Sequence, residues 1–364
     1  MNHPGRIRRL QDALSTDALY VSNLSNVRYL CGFTGSNGSL LMGHDDAWFL
    51  TDGRYRTQSA DEVVGADVEV YALPDQLGAS LERLAGKLGA RRIGFEADHV
   101  AVAAADRLRA YLPDAELVPT SGLVEGLRRV KEPDELARIR EAARLADEGL
   151  AYILERVEAG RTERELAIML ESHLRLAGAE AVSFPSIVAA AERSALPHAH
   201  PTERTVEEGR FLLFDLGCVF EGYCSDMTRT VVVGHADDRH REIYELVAAA
   251  QQAGLDALAP GRTGAEVDRG AGRDRRRRPR RCLRPQPRPR RRPRDPRGTD
   301  AAVDQQRRPR AGPRRHRRTG YLSSWLGRRA HRGPDRCDRR RCGDAQPLPQ
   351  GPGRALMAAN RRES

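Results

Sequence analysis

The stretch Phe211-Leu-Leu-Phe-Asp-Leu-Gly-Cys-Val-Phe-Glu-Gly-Tyr-Cys-Ser-Asp-Met-Thr-Arg-Thr230 carries two aspartates, Asp215 and Asp226, in apolar surroundings. Strands over 211–219 and 222–233 joined by a two-residue turn at Phe220-Glu221 would place Asp215 directly opposite Asp226, because positions with a constant sum face each other in an antiparallel pair. Cross-strand Cβ atoms lie about 5 Å apart, where like charges are destabilising. Beside Phe214, Leu216 and Val219, two facing carboxylates need a cation or a shared proton. The pattern therefore predicts part of a divalent-metal site.

Outward from this hairpin the chain changes character near residue 270. From Ala271 to Ser364 there are 31 Arg, no Lys, 12 Pro and 8 acidic residues. That segment carries +23, which leaves −13 of the chain's net +10 to the first 270 residues. With six Leu plus Val and no Ile or Phe, it has too little apolar surface to offset the entropy of ordering, so a disordered tail over 271–364 is expected. The first 270 residues suffice for real cores.

Residues 1–125 read as an α/β domain, with strands over 18–22, 39–42, 47–51, 68–72 and 92–95 and helices near 77–88 and 101–111. Residues 126–270 form a second unit. Pro133 opens a helix whose expected apolar face is Leu136, Ile139, Ala143, Ala146, Leu150, Ile153 and Val157, and Gly160 ends it. Thr162-Glu-Arg-Glu165 is a capping box for a second helix reaching about 177. A strand over 182–188, a polar segment Ala195-Leu-Pro-His-Ala-His-Pro201, the hairpin and a helix over 238–258 follow. There is no signal-peptide core and no run of about 18 apolar residues, which predicts a cytoplasmic protein with no membrane association. Cys218 and Cys224 are expected in the core, and no cysteine spacing suggests a disulfide framework or a zinc knuckle.

In this order the motifs resemble the aminopeptidase P and prolidase group of metallopeptidases, relatives of creatinase and methionine aminopeptidase. The resemblance rests on Asn26-Val-Arg-Tyr-Leu-Cys-Gly-Phe-Thr-Gly-Ser-Asn37, Thr51-Asp-Gly-Arg-Tyr55, Val130-Lys-Glu-Pro-Asp-Glu-Leu136, Ser183-Phe-Pro-Ser-Ile-Val188 and the hairpin. It implies a creatinase-like N-terminal domain, then a catalytic domain of the pita-bread type that holds two divalent cations, manganese or cobalt. The cations acidify and orient a water for attack on an Xaa-Pro peptide bond. Asp215 and Asp226 match two metal ligands. His198 matches the histidine that hydrogen-bonds substrate, while the family varies at the position of His200. The implied substrate is a proline-containing peptide and the implied assembly a homodimer.

The group's remaining ligands, a histidine in a Gly-His-rich stretch and two glutamates, have no counterpart after residue 270. The tail nevertheless holds them in another frame. Writing Arg as CGN, Pro as CCN and Gly as GGN and moving one base forward, Arg284-Pro-Gln-Pro-Arg-Pro-Arg-Arg-Arg-Pro-Arg-Asp-Pro-Arg-Gly298 permits Gly-His-Ser-Leu-Gly-His-Gly-Val-Gly-Leu-Glu-Ile-His-Glu. The same shift permits Val-Thr-Val-Glu-Pro-Gly from residue 315 and Val-Arg-Ile-Glu-Asp before residue 335. Three motifs in family order and one frame indicate a frameshift near 269–273 and a catalytically incomplete pita-bread domain. Two other classes compete. The Arg-rich tail would bind nucleic acid or other polyanions in a salt-dependent way, but it lacks Lys and interleaved aromatics. A creatinase-like hydrolase without metal is disfavoured by the two retained aspartates.

Overall fold

The computed structural model describes residues 1–73 and 76–275. The out-of-frame motifs and the expected disordered tail beyond residue 275 lie outside the described residues, while residues 271–275 continue a helix that begins at Gly264 instead of opening the tail. Two compact units result: Met1–Arg144 with Val219–Ser225, and Leu145–Cys218 with the described chain from Asp226 onward.

The first unit runs α1 (His3–Gln11), β1 (Ala18–Val21), α2 (Leu24–Cys31), β2 (Ser39–Met42), β3 (Ala47–Asp52), α3 (Arg56–Glu62), β4 (Asp67–Tyr71), α4 (Gln76–Leu88), β5 (Arg92–Glu96), α5 (Val102–Tyr111), β6 (Glu116–Thr120) and α6 (Leu123–Arg129). The sheet order is β4-β3-β2-β1-β5-β6. Strand β1 lies at its centre, antiparallel to β2 and parallel to β5. Alternation along β1 sends Leu19 and Val21 into a cluster with Ile7, Leu10 and Val27, and Ala18 and Tyr20 into another with Leu81, Leu84 and Leu108. Helices therefore cover both faces, which is why this strand reads as unbroken apolar sequence.

The expected strands are present within a residue of their predicted ends, but α1, α2, α3, α6 and β6 lie outside the expectation. Helix α1 is mostly polar and buries Arg6 completely, a burial that only distant partners make tolerable.

The second half continues with α7 (Pro133–Leu154), α8 (Glu163–Leu176), β7 (Ala181–Val182), β8 (Ile187–Ala190), β9 (Phe211–Leu216), β10 (Cys218–Phe220), β11 (Tyr223–Cys224), β12 (Met227–Val232), α9 (Asp238–Asp256) and α10 (Gly264–Arg275). The capping box is formed, with the Thr162 hydroxyl accepting from the Glu165 amide at 3.1 Å and the Thr162 amide donating to Glu165 Oε2 at 2.7 Å. The expected strand over 182–188 is split. Pro185 cannot donate to a ladder, and the amides on either side go to Gly217 O and to Glu171 Oε1.

The buried face of α7 also differs from expectation. Leu136 is exposed and Ala143 and Leu150 are half-buried, whereas Ala142, Leu145, Ala146, Gly149 and Ile153 are buried. Gly149 is where α8 comes closest, since a Cβ built there would lie 2.6 Å from a methyl of fully buried Leu174. Replacing Gly149 with Val is expected to lower stability by about 1–3 kcal/mol through overpacking, read as a shift in the urea midpoint of the full chain. Among the described residues no helix is long and apolar enough to cross a membrane.

Candidate active site

The two aspartates sit on the hairpin, but not face to face. Strand β12 pairs with β9 so that Thr228 faces Asp215, and β10 pairs with β11 so that Phe220 faces Tyr223. Both pairings have the same constant sum, two larger than predicted, and the turn is Glu221-Gly222 rather than Phe220-Glu221. The reason is turn chemistry. A two-residue hairpin turn of the favoured hand requires positive φ at both central residues, and Glu221 and Gly222 adopt φ 45° and 82°. Gly222 also lies under the Arg28 guanidinium, which a Cβ there would meet at 2.9–3.0 Å. Glu221 is held by Arg138 at 2.7 Å.

A shift of two residues preserves strand parity. Asp215 lies with Phe211 and Leu213 on the half-buried face of β9, opposite the buried Leu212, Phe214 and Leu216. Its Oδ1 accepts a hydrogen bond of 2.8 Å from Thr228 Oγ1. Asp226 follows the end of β11 at a break between strands and is exposed. Asp226 is thus exposed and Asp215 half-buried, and the two are not the facing, buried pair whose charges would call for a cation. Cys224 is likewise exposed rather than in the core, while Cys218 is buried.

His198 and His200 are exposed in the connection between β8 and β9. Ala199 between them is buried against Ile187 and Ala189, so the segment is anchored by its alanine and presents its histidines outward. Arg193 Nη2 donates to His200 O at 2.7 Å. The base of this connection closes on a residue that sequence reasoning missed, Glu163 at the first position of α8. Its carboxylate is fully buried and accepts from Ala190 N at 2.8 Å, Arg193 Nε at 3.0 Å and Thr202 Oγ1 at 2.7 Å. The only sequence signal was an extra acid beside a capping box, which looks like ordinary helix-end charge.

Carboxylate oxygens suit hard divalent cations, yet no group of three or more His, Cys, Asp or Glu side chains that could hold a metal comes together among the described residues. Asp215 and Asp226 by themselves do not fit a complete metal centre.

Comparison with known proteins gives this partial site its context. A model of the creatinase/prolidase N-terminal domain matches residues 5–130, and one of metallopeptidase family M24 matches residues 137–281. The chain is 37% identical over 266 residues to the uncharacterized peptidase YqhT of Bacillus subtilis, covering 72% of this chain and 74% of the relative. It is similar in structure to an Xaa-Pro dipeptidase from Bacillus anthracis, with a TM-score of 0.71 and 36% identity over 75% of this chain and 76% of the other. It also resembles the prolidase from Pyrococcus horikoshii, with a TM-score of 0.68 and 28% identity over 75% and 77% of the two chains. Motif order, family models and shared fold agree on an α/β chain with a creatinase-like N-terminal domain and a pita-bread domain, and the chain belongs to the aminopeptidase P and prolidase group of metallopeptidase family M24, enzymes that use divalent metal.

Proposed function

We propose that this chain is built to hydrolyse Xaa-Pro peptide bonds with two divalent cations, manganese or cobalt, and that it is catalytically incomplete as written. Asp215 and Asp226 would be metal ligands and His198 the hydrogen-bond partner of a proline-containing peptide, in a homodimer whose chains divide at about residues 125 and 270. Relatives bearing the name Xaa-Pro dipeptidase support the substrate class. The observation that carries the incompleteness is the sequence after residue 270, which offers no Gly-His-rich stretch and a single glutamate, Glu363, to join Asp215 and Asp226.

The test is peptide hydrolysis by the purified 364-residue chain. With Ala-Pro or Ala-Pro-Ala and added Mn²⁺, the expected rate equals that of a buffer blank containing the same metal. Hydrolysis that requires Mn²⁺ and disappears on Asp215→Asn would overturn the claim of incompleteness while upholding the substrate class.

A further inference from the structure

We propose that Glu163 is the positioning residue for His198, holding the connection that presents this histidine to a bound peptide. The proposal rests on the reading of His198 as the substrate-binding group. It concerns a residue that touches no substrate itself.

A glutamate in the first turn of a helix ordinarily stays in solvent, where it interacts weakly with the helix dipole. Here Glu165 does the capping, and Glu163 is free for another task. Its side chain is fully buried, a position that a carboxylate occupies at low cost only when it is paired and its oxygens are hydrogen-bonded. Both conditions are met. Oε1 accepts from Ala190 N at 2.8 Å and Arg193 Nε at 3.0 Å, and Oε2 from Arg193 Nε at 3.1 Å, Thr202 N at 2.9 Å and Thr202 Oγ1 at 2.7 Å.

The positions of these donors are the substance of the argument. Ala190 ends β8, where the connection begins, Thr202 lies where it returns, and Arg193 sits within it and reaches across to His200 O at 2.7 Å. One carboxylate therefore ties both ends of the segment that exposes His198. The first residue beyond the tie, Ala191, has φ 51°, a left-handed conformation that a non-glycine residue keeps only where its surroundings enforce it. The return strand is also fixed to the start of α8 by backbone bonds from Glu163 N to Arg204 O at 3.0 Å and from Arg164 N to Thr202 O at 3.1 Å. Without the carboxylate, the Ala190 amide and the Arg193 guanidinium lose their shared acceptor, and the strained turn at Ala191 loses its anchor.

The full 364-residue chain labelled with ¹⁵N-histidine provides the test, with Glu163→Gln as the variant. The glutamine keeps the shape but turns an amide NH₂ toward donors. The His198 and His200 ring signals are expected to shift and split or broaden, while His3 and His99 in the first unit keep their wild-type signals. In a uniformly ¹⁵N-labelled sample of the same chain, amide exchange at Ala190 and Thr202 should accelerate about tenfold or more, since a hydrogen bond to a charged group is worth at least that factor. If Glu163→Gln does not fold, Thr202→Val removes a single hydroxyl donor, leaves the ion pair with Arg193 and is read by the same signals. A folded variant whose His198 ring signals match wild type overturns the proposal. The readout is the imidazole itself, so a failure of the peptidase reading would show separately, as absent hydrolysis, and would not be confused with it.

Discussion

A gene corrected by one base within the codons for residues 269–273 is expected to yield a chain that hydrolyses Xaa-Pro peptides in the presence of Mn²⁺, whereas the uncorrected 364-residue chain does not. The contrast should be very large, because enzymes accelerate their reactions by about 10⁶-fold or more over the uncatalysed background and a site lacking several of its ligands forfeits nearly all of this. The prediction follows from the out-of-frame motifs Gly-His-Ser-Leu-Gly-His-Gly, Glu-Pro-Gly and Ile-Glu-Asp, which the codons of the Arg-rich tail permit in the family's order. It also follows from the similarity to relatives, which spans 72% of the chain. Initial rates on Ala-Pro for the corrected and uncorrected chains, purified side by side, decide it. A corrected chain that folds, binds Mn²⁺ and still leaves Ala-Pro intact would refute the substrate assignment.

The second large effect is on stability. Arg6→Met is expected to cost about 3–5 kcal/mol, the usual penalty for leaving a buried charge without its partner. Arg6 is completely buried, donating to Glu132 Oε2 at 2.8 and 3.1 Å and to Tyr29 O at 3.0 Å, with Glu135 Oε2 3.3 Å away. Glu135 is 1% exposed and also accepts from the Tyr223 hydroxyl at 3.0 Å. Burial, with the Glu135 charge next, pushes that hydroxyl's pKa up to about 12. The variant would therefore leave the buried Glu135 charge without its cation, with only the Tyr223 hydroxyl and the Glu132 amide as donors, and Arg6→Met combined with Glu135→Gln should recover part of the loss. Urea denaturation of the full chain measures both, and equal midpoints for wild type and Arg6→Met would show that the ion cluster adds nothing.

The same cluster sets an acid limit. Burial raises the Glu132 carboxyl, but hydrogen bonds and charge from Arg9 and Arg6 outweigh it and hold the group below its ordinary 4.5. A carboxylate with a lowered folded-state pKa contributes stability that is fully present above its unfolded value and is lost as pH falls through the folded one. Stability should thus be flat above about pH 5 and decline below 4.5, with a shallower decline in Arg6→Met.

How far the sequence could be read depended on the range of each interaction. Strand β2 and the capping box at Thr162 and Glu165 were legible because a short continuous apolar run and a side chain three residues from its amide are local signals. Helix α1 was not, because Arg6 looks solvent-exposed until residues 132 and 135 are brought beside it. In α7 the alanines at 137, 142, 143, 146 and 151 supply several plausible apolar stripes, and the choice of Ala142, Leu145 and Gly149 over Leu136 belongs to the partner that packs there, as the approach of Leu174 to Gly149 shows.

The sequence by itself determined the family, the α/β class and the identity of the two hairpin aspartates, since these rest on motif order, periodicity and residue type. Tertiary structure alone decided that Asp215 faces Thr228 rather than Asp226, that Asp226 is exposed while Asp215 is half-buried, and that Glu163 ties down the connection bearing His198. Register follows the backbone angles a turn demands, and burial follows contacts between residues tens of positions apart, neither of which a local pattern of residue types contains.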